Sequence, residues 1–287
     1  MSPESISPAD APMTTGELRA WSEDRLTARA RAIWSGADFL PIARSFAHGA
    51  AEFIGRLGLR PGETVLDVAC GTGNLAIPAA RAGARVTGVD IAPNLIAEAQ
   101  LEARSSGLSI AFEVGDAEAL PYRDGQFDTT VTMFGAMFAY RPARAAAQLL
   151  RVTRPGGRIA MANWTPGSAI GDLLRAHVAV VPPPAEVPSP LLWGDEDTVR
   201  ARFGDGIRAI TFTRRIVELR FSMPPAAVTE LFASSYGPTV ATLAAAGPEG
   251  RQQLRESLTR LFTAHNIATG TGTVIPGEYL DVQVALA

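Results

Sequence analysis

The sequence predicts an α/β protein built on a doubly wound, mostly parallel sheet, and three observations carry that expectation. Val65, Leu66, Val68 and Ala69 form an apolar run of the kind found in strands covered on both faces, with Asp67 near its end. The run passes into Cys70-Gly71-Thr72-Gly73-Asn74 and then into the helix formers Leu75, Ala76, Ala79 and Ala80. This strand–turn–helix order uses glycine where backbone takes positive φ or approaches a ligand, and it leaves free N–H groups at the new helix. Strand-like and helix-like segments then alternate as far as Trp164, which implies right-handed crossovers and a ligand at the carboxyl ends of the strands, where their order reverses.

Taken in order, the segments read as follows. Helices are expected at 17–32 and 41–57; in the second, Ile42, Phe46, Ala50, Phe53 and Leu57 share one face, Gly58 ends it, and Arg60-Pro61-Gly62 turns into the first strand. A second strand, 84–90, ends in Asp90; a third, 110–114, runs into Gly115-Asp116-Ala117; a fourth covers 127–134; and the turn Arg154-Pro155-Gly156-Gly157 feeds a fifth at 158–163. A helix at 170–181 leads into a proline-rich connection at 182–190, and Asp195 is placed to cap a short helix at 198–203. A long strand is expected at 209–221, helices at 225–244 and 248–267, and a last strand at 279–286.

Two ligand classes use a turn of this kind. Gly71-x-Gly73-x-x-Ala76 satisfies the loose dinucleotide pattern, in which the helix start holds a pyrophosphate, as in an NAD(P)-dependent oxidoreductase. Asp67, four residues before the first glycine, would repel pyrophosphate and attract the sulfonium and ammonium of S-adenosylmethionine. Asp90 can accept both ribose hydroxyls, while Asp116 can accept from the adenine amino group with the Ala117 N–H meeting the ring. The cationic cofactor fits this ordered set of acids better.

The stretches VLDVACGTGN, VTGVDIAPNLIAEA, GDAEALPYRDGQFD, MFGAMF and LLRVTRPGGRIAMANW resemble the class I S-adenosylmethionine-dependent methyltransferases, in particular the small-molecule branch similar to ubiquinone/menaquinone-biosynthesis methyltransferases. IWSGADFLPIA, PSPLLWGDED, AHN and PGEYLDV also resemble an uncharacterised bacterial subgroup. The resemblance implies a Rossmann-like sheet of seven strands, the last antiparallel beside the fifth, with N-terminal helices closing over S-adenosyl-L-methionine. It places Asp67, Ala69, Gly71, Thr72 and Gly73 at the methionine end, Asp90 and Ile91 at ribose and adenine, Asp116 and Ala117 at adenine, and Phe134 beside the methionine moiety. Cys70 stands where the family often has glycine; a small buried thiol is compatible with the turn.

The expected organisation is a disordered tail at 1–16, N-terminal helices at 17–58, a core of 59–222 and 274–287, and a helical lid at 223–273. Leu254, Leu258, Leu261, Phe262 and His265 share a face of one lid helix, and Val228, Leu231, Phe232 and Tyr236 a face of the other. These stripes either pack on each other or roof an apolar acceptor pocket. Trp34, Met137, Phe138, Tyr140, Trp164, Trp193 and Tyr236 are candidate pocket residues. Methyl transfer needs positioning and exclusion of water more than named catalytic groups. Should a base be used, His265 and His48 are the candidates.

Composition bounds the partners. The net charge of −3 balances 26 basic residues, every one an arginine, against 29 acidic ones, which gives no drive toward nucleic acid; Glu17, Glu23 and Asp24 dilute the cluster Arg19, Arg25, Arg29 and Arg31. Met133-Phe134-Gly135-Ala136 lacks the motif of enzymes that methylate nucleobase or glutamine nitrogens. A single cysteine argues against a disulfide framework, a metal site or thiol-dependent arsenic methylation. No apolar run approaches a membrane span, and the start lacks the core of a signal peptide. A cytoplasmic enzyme acting on a small molecule is expected, with a homodimer compatible; the alternatives are an oxidoreductase and a non-catalytic S-adenosylmethionine-binding regulatory protein.

Overall fold

The architecture was obtained as a computed structural model that describes residues 23–184 and 186–287. The expected tail, and the first part of the helix at 17–32, lie outside the described residues. The chain forms one seven-stranded sheet in the order β3-β2-β1-β4-β5-β7-β6, where β1 is Thr64–Val68, β2 Arg85–Asp90, β3 Ala111–Val114, β4 Phe127–Met133, β5 Thr153–Trp164, β6 Ile207–Phe221 and β7 Thr273–Leu286. Strands β1 to β5 pair in parallel, and β7 runs antiparallel to both β5 and β6. Chain order reverses on either side of β1, which has β2 on one edge and β4 on the other. The doubly wound sheet and its antiparallel last strand agree with the sequence reading.

Hydrophobic burial explains the central strands. Leu66, Val131, Ile159 and Met161 are fully enclosed, as expected for strands covered on both faces. The helices that cover them include α1 (Glu23–Ser35), α2 (Leu40–Ser45), α3 (Ala47–Leu57), α4 (Ala76–Arg81), α5 (Pro93–Ser105), α6 (Pro142–Val152), α7 (Ala169–Val180) and α8 (Glu196–Phe203). Asp195 caps α8 by accepting from the Thr198 N–H at 2.9 Å, as its position suggested.

Apart from shifts of up to three residues at element ends, four features differ from the sequence reading, and each has a local cause. The helix expected at 41–57 is two, parted at Phe46 (φ −122°, ψ 15°); the apolar stripe continues across the break, so periodicity alone cannot reveal it. The helix expected at 225–244 is also two, α9 (Pro225–Ser235) and α10 (Gly237–Ala245), parted at extended Tyr236; Pro238 has no N–H to continue the ladder and so sits in the first turn of a new helix. The turn at 154–157 is absorbed into β5 as an irregularity, the register jumping from Phe127↔Thr153 to Thr129↔Arg158. Finally β7 starts at Thr273 instead of 279. Pro276 and Gly277 argue against a strand there, yet β5 ends opposite Tyr279, so beyond that point β7 forms its ladder with β6 alone, and its other edge is met only by single backbone bonds, from the Thr165 N–H to the Glu278 carbonyl and from the Ile267 N–H to the Val274 carbonyl. A third helix, α11 (Pro248–Ala264), precedes β7, and its Phe262 meets Phe232 of α9 at 4.9 Å between ring centroids.

Close backbone approach constrains the sheet's carboxyl end. A Cβ at Gly135, just after β4, would stand 2.5 Å from the Ala69 carbonyl oxygen and 2.6 Å from its Cβ, whereas one at Gly55, exposed on α3, would meet nothing within 4 Å. Gly135→Ala is therefore expected to lower unfolding stability by about 1–3 kcal/mol, and Gly55→Ala to raise it by about 0.5–1 kcal/mol. Chemical denaturation of both variants checks the pair, and equal stabilities would show that the two loops can part.

Candidate active site

The carboxyl ends of β1, β2 and β4 open into a cleft of about 1020 Å³, part of it open to solvent, which α1 and α2 cover from the other side. Asp67 enters from β1 and is buried; its Oδ2 accepts the Ala76 N–H at 2.9 Å. This bond changes the expected role of the turn. The first free N–H of α4 is not offered to a ligand but satisfied by Asp67, so a carboxylate stands where a pyrophosphate would need a donor. Burial holds the Asp67 carboxyl well above the usual carboxylate range; the Ala76 hydrogen bond opposes that shift and the neighbouring Asp90 adds to it.

Asp90, at the end of β2, is also buried. Its Oδ2 accepts from the Gly71 N–H at 2.8 Å and its Oδ1 from the Ala92 N–H at 2.9 Å, so the acid fixes the glycine turn and the start of α5 together. Burial raises its carboxyl, and the backbone donors partly offset this. Gly71 has φ +53°, a region that disfavours other residues, and a Cβ there would meet no protein atom within 4 Å. Asp116 is half-buried; its Oδ1 accepts from the Glu118 N–H at 2.9 Å and its Oδ2 from the Thr27 hydroxyl of α1 at 2.8 Å. Glu118 pairs in turn with Arg141.

Two non-glycine residues among those described have left-handed φ, Ala69 (+54°) and Phe134 (+59°), and both line the cleft. Such strain persists only where surrounding structure enforces it. At Phe134 the enforcement is visible: its N–H donates to the Ala162 carbonyl at 2.9 Å, and its ring stacks on Trp164 at 3.5 Å between centroids and 8° between planes.

Of the residues proposed from sequence for the cofactor, Asp67, Ala69, Gly71, Thr72, Asp90, Ile91, Asp116, Ala117 and Phe134 all border this cleft. Gly73 does not. Its φ of +88° serves the turn, and a Cβ there would face Ile77, Phe112 and Ala99 in the core. Trp34, Phe138 and Tyr140 line the cleft as expected, while Trp164 and Tyr236 line a second cavity of about 400 Å³ beside it, part of it open to solvent. Met137 and Trp193 line neither. Met137 is 1% exposed; Trp193 is fully enclosed beneath the Arg202 guanidinium, 4.3 Å from its ring centroid, so both are packing residues.

The histidine expectations need correction. His48 is half-buried on α3 and borders neither cavity, because it lies off that helix's buried stripe. His265 closes the end of α11, and its Nε2 lies 3.2 Å from Asp172 Oδ2, away from both cavities. His177 is buried between the Leu173 carbonyl and the Thr239 hydroxyl, and burial lowers it to about 4, so it is a neutral packing group at ordinary pH. Burial pushes the Cys70 thiol up, in keeping with a small packed residue and not a thiolate.

Sequence reasoning missed Thr27, Glu118 and Asn74 as cleft residues. Asn74 ties the turn to α2 by donating from Nδ2 to the Ala43 carbonyl at 2.8 Å. Phe46 was visible only as part of a helical stripe; it stands edge-on to Phe134 at 5.6 Å.

Comparisons with known proteins agree with this fold. Residues 65–157 match a family described as a methyltransferase domain. An uncharacterised protein of Mycobacterium tuberculosis (strain ATCC 25618 / H37Rv) is 35% identical over 235 residues, covering 81% of this chain and 86% of the relative. A demethylmenaquinone methyltransferase of Beutenbergia cavernae is 38% identical over 119 residues, 40% of this chain and 48% of that one. A solved putative sarcosine dimethylglycine methyltransferase from Galdieria sulphuraria has the same fold, with a TM-score of 0.54 at 13% identity over 90% of this chain and 97% of that one. The chain belongs to the class I S-adenosylmethionine-dependent methyltransferases and is similar, over its central region, to the enzymes of menaquinone biosynthesis.

Proposed function

We propose that the enzyme moves the methyl group of S-adenosylmethionine to an oxygen, nitrogen or carbon atom of a small, partly apolar molecule. The carrying observation is the pairing of a cleft bordered by Asp67, Asp90 and Asp116 with an adjoining cavity walled by aromatic and aliphatic side chains. The residues present fit the cofactor: buried carboxylates at the strand tips suit a ligand with cationic and hydroxyl groups, and the vacant direction at Gly71 leaves room for one against the turn.

In this reading Asp67 serves the methionine end, Asp90 the ribose hydroxyls, and Asp116 with the Ala117 N–H the adenine. When bound, the cofactor supplies a methyl group already activated on a sulfonium. The chain then has to hold the acceptor in line with that methyl and keep water away. Phe134, held on Trp164, forms the wall between the two cavities, and α9 with the Tyr236 that ends it acts as the roof over the acceptor. The stripes of α9 and α11 pack on one another through Phe232 and Phe262, and Phe232 and Tyr236 also line the second cavity, which supports both readings for the α9 stripe and packing alone for that of α11. Among the described residues no histidine borders either cavity. A purely regulatory cofactor-binding role is less favoured, since the second cavity leaves space beside Phe134.

Isothermal titration tests the cofactor assignment: S-adenosylhomocysteine is expected to bind and NADH not, and tight binding of NADH alone would overturn it. Asp90→Ala should weaken S-adenosylhomocysteine by about 1.5–3 kcal/mol, roughly tenfold or more, and Gly71→Val should abolish binding; unchanged affinity in either removes that residue from the site. Transfer from labelled S-adenosylmethionine to a metabolite library then tests catalysis.

A pH dependence follows from Asp67. Its carboxyl is raised in the fold, so acidification protonates it before ordinary carboxylates and removes the charge that attracts a sulfonium. As the pH is lowered toward the usual carboxylate range, affinity for S-adenosylmethionine should fall more than that for S-adenosylhomocysteine, whose sulfur is neutral. The folded state favours the protonated acid, so above the usual carboxylate range Asp67 lowers the stability of the ligand-free protein, and this loss is relieved as pH falls through the raised value. Parallel pH profiles for the two ligands would coincide if Asp67 lay away from the sulfur.

A further inference from the structure

Strand β6 ends the sheet. It pairs with β7 on one side, and among the described residues no segment forms a backbone hydrogen bond along its other side. A long open edge is a template for a further strand, and native folds usually blunt one with proline, a bulge or a covering segment. From Ala209 to Phe221 β6 contains neither proline nor glycine, and its register with β7 runs without a shift.

The side chains along this edge are ordered so that the strand complements itself. Val217, Leu219 and Phe221 turn inward and are buried, so Phe212, Arg214, Ile216, Glu218 and Arg220 share the opposite face. Ile216 is 66% exposed, more than any other large apolar side chain among the described residues, and it stands midway between an arginine and a glutamate. A second copy laid antiparallel with a two-fold axis at Ile216 sets Arg214 of each chain opposite Glu218 of the other, and Arg220 opposite Phe212, over 211–221. Moving the axis to Arg214 or Arg215 sets that arginine against its own copy; moving it to Val217 sets Arg214 against Arg220, and to Glu218 glutamate against glutamate. Each of those registers opposes like charges. Within one chain Arg214 already meets Glu278 at 3.0 Å and Arg220 meets Glu218 at 2.7 Å, and a guanidinium has donors enough to serve a second carboxylate as well.

We propose that the outer edge of β6 is the interface of a homodimer, in which two copies join antiparallel about Ile216 into one continuous sheet. The occupant is a second copy because a two-fold interface must match itself, and this order of charges around a central apolar residue does. Main-chain hydrogen bonds supply the attraction, the Ile216 pair removes apolar surface from water, and the Arg214–Glu218 pairs fix the register. Leu219, on the inner face of β6, lines the aromatic cavity, so the pairing also steadies a wall of that cavity.

Analytical ultracentrifugation of the full chain at micromolar concentration is expected to give twice the mass of one chain. Arg214→Glu sets carboxylate against carboxylate at both ends of the pairing, and Glu218→Arg sets guanidinium against guanidinium, so each should weaken the dimer about tenfold or more. The double variant restores opposite charges and should dimerise as the parent does. An equimolar mixture of the two single variants should form a mixed dimer, since one then carries negative charge at both positions and the other positive. Circular dichroism matching the parent checks that each variant folds. Ile216→Cys, which alters no charge, gives a second reading: a short bismaleimide should link two such chains across the axis and leave the parent, whose Cys70 is buried, unlinked. A monomeric parent, folded single variants that dimerise as tightly as the parent, a mixture that stays monomeric, or an Ile216→Cys chain that cannot be linked would overturn the proposal.

Discussion

The site depends on a buried carboxylate that a helix is folded onto. Asp67 leaves the end of β1 and takes the Ala76 N–H, so the first turn of α4 forms against a negative charge inside the protein. Burying such a group is unfavourable unless it is hydrogen-bonded or paired, and here one backbone donor meets part of its capacity. The remaining capacity and the charge are what a cationic ligand can satisfy. Asp90 repeats the device one strand away, with the Gly71 and Ala92 N–H groups on its two oxygens, so the glycine turn is pinned between two acids instead of standing as a free loop.

Around that turn the backbone carries strain that the fold enforces. Ala69 and Phe134 take left-handed φ on adjacent loops, and Gly135 lets those loops touch. The stack of Phe134 on Trp164 is backed by Tyr279, whose ring meets Phe134 edge-on at 5.6 Å, and Tyr279 is itself held by a hydrogen bond from Arg56. Arg56 and Arg215 share Asp281 on the neighbouring stretch of β7. The antiparallel last strand thus does more than complete the sheet. It carries the support for the ring that divides the carboxylate-lined cleft from the aromatic cavity.

The N-terminal helices complete the enclosure through side chains with little sequence signature. Thr27 of α1 donates to Asp116, and Arg141 pairs with the adjacent Glu118, so the acid assigned to adenine is also the anchor of a covering helix. A threonine among polar helix residues gives no periodic or motif signal, which is why Thr27 was not legible, whereas Asp116 was marked by its place after a strand. The same contrast explains the histidines. His265 shares a stripe with Leu258 and Leu261, but only packing shows that its ring is turned to Asp172.

What the sequence determined by itself was the order of strands and helices, the strand tips that carry Asp67, Asp90 and Asp116, and the turn at Gly71. These follow from period, burial preference and backbone freedom, which are local properties of short segments. The tertiary structure alone decided where α2 and α3 part, how Pro276 fits within β7, which aromatic rings face a cavity and which, like Trp193, fill the core. Each of those outcomes depends on contacts between residues far apart in the chain: a side chain's neighbours, unlike its secondary structure, are fixed only when the layers pack.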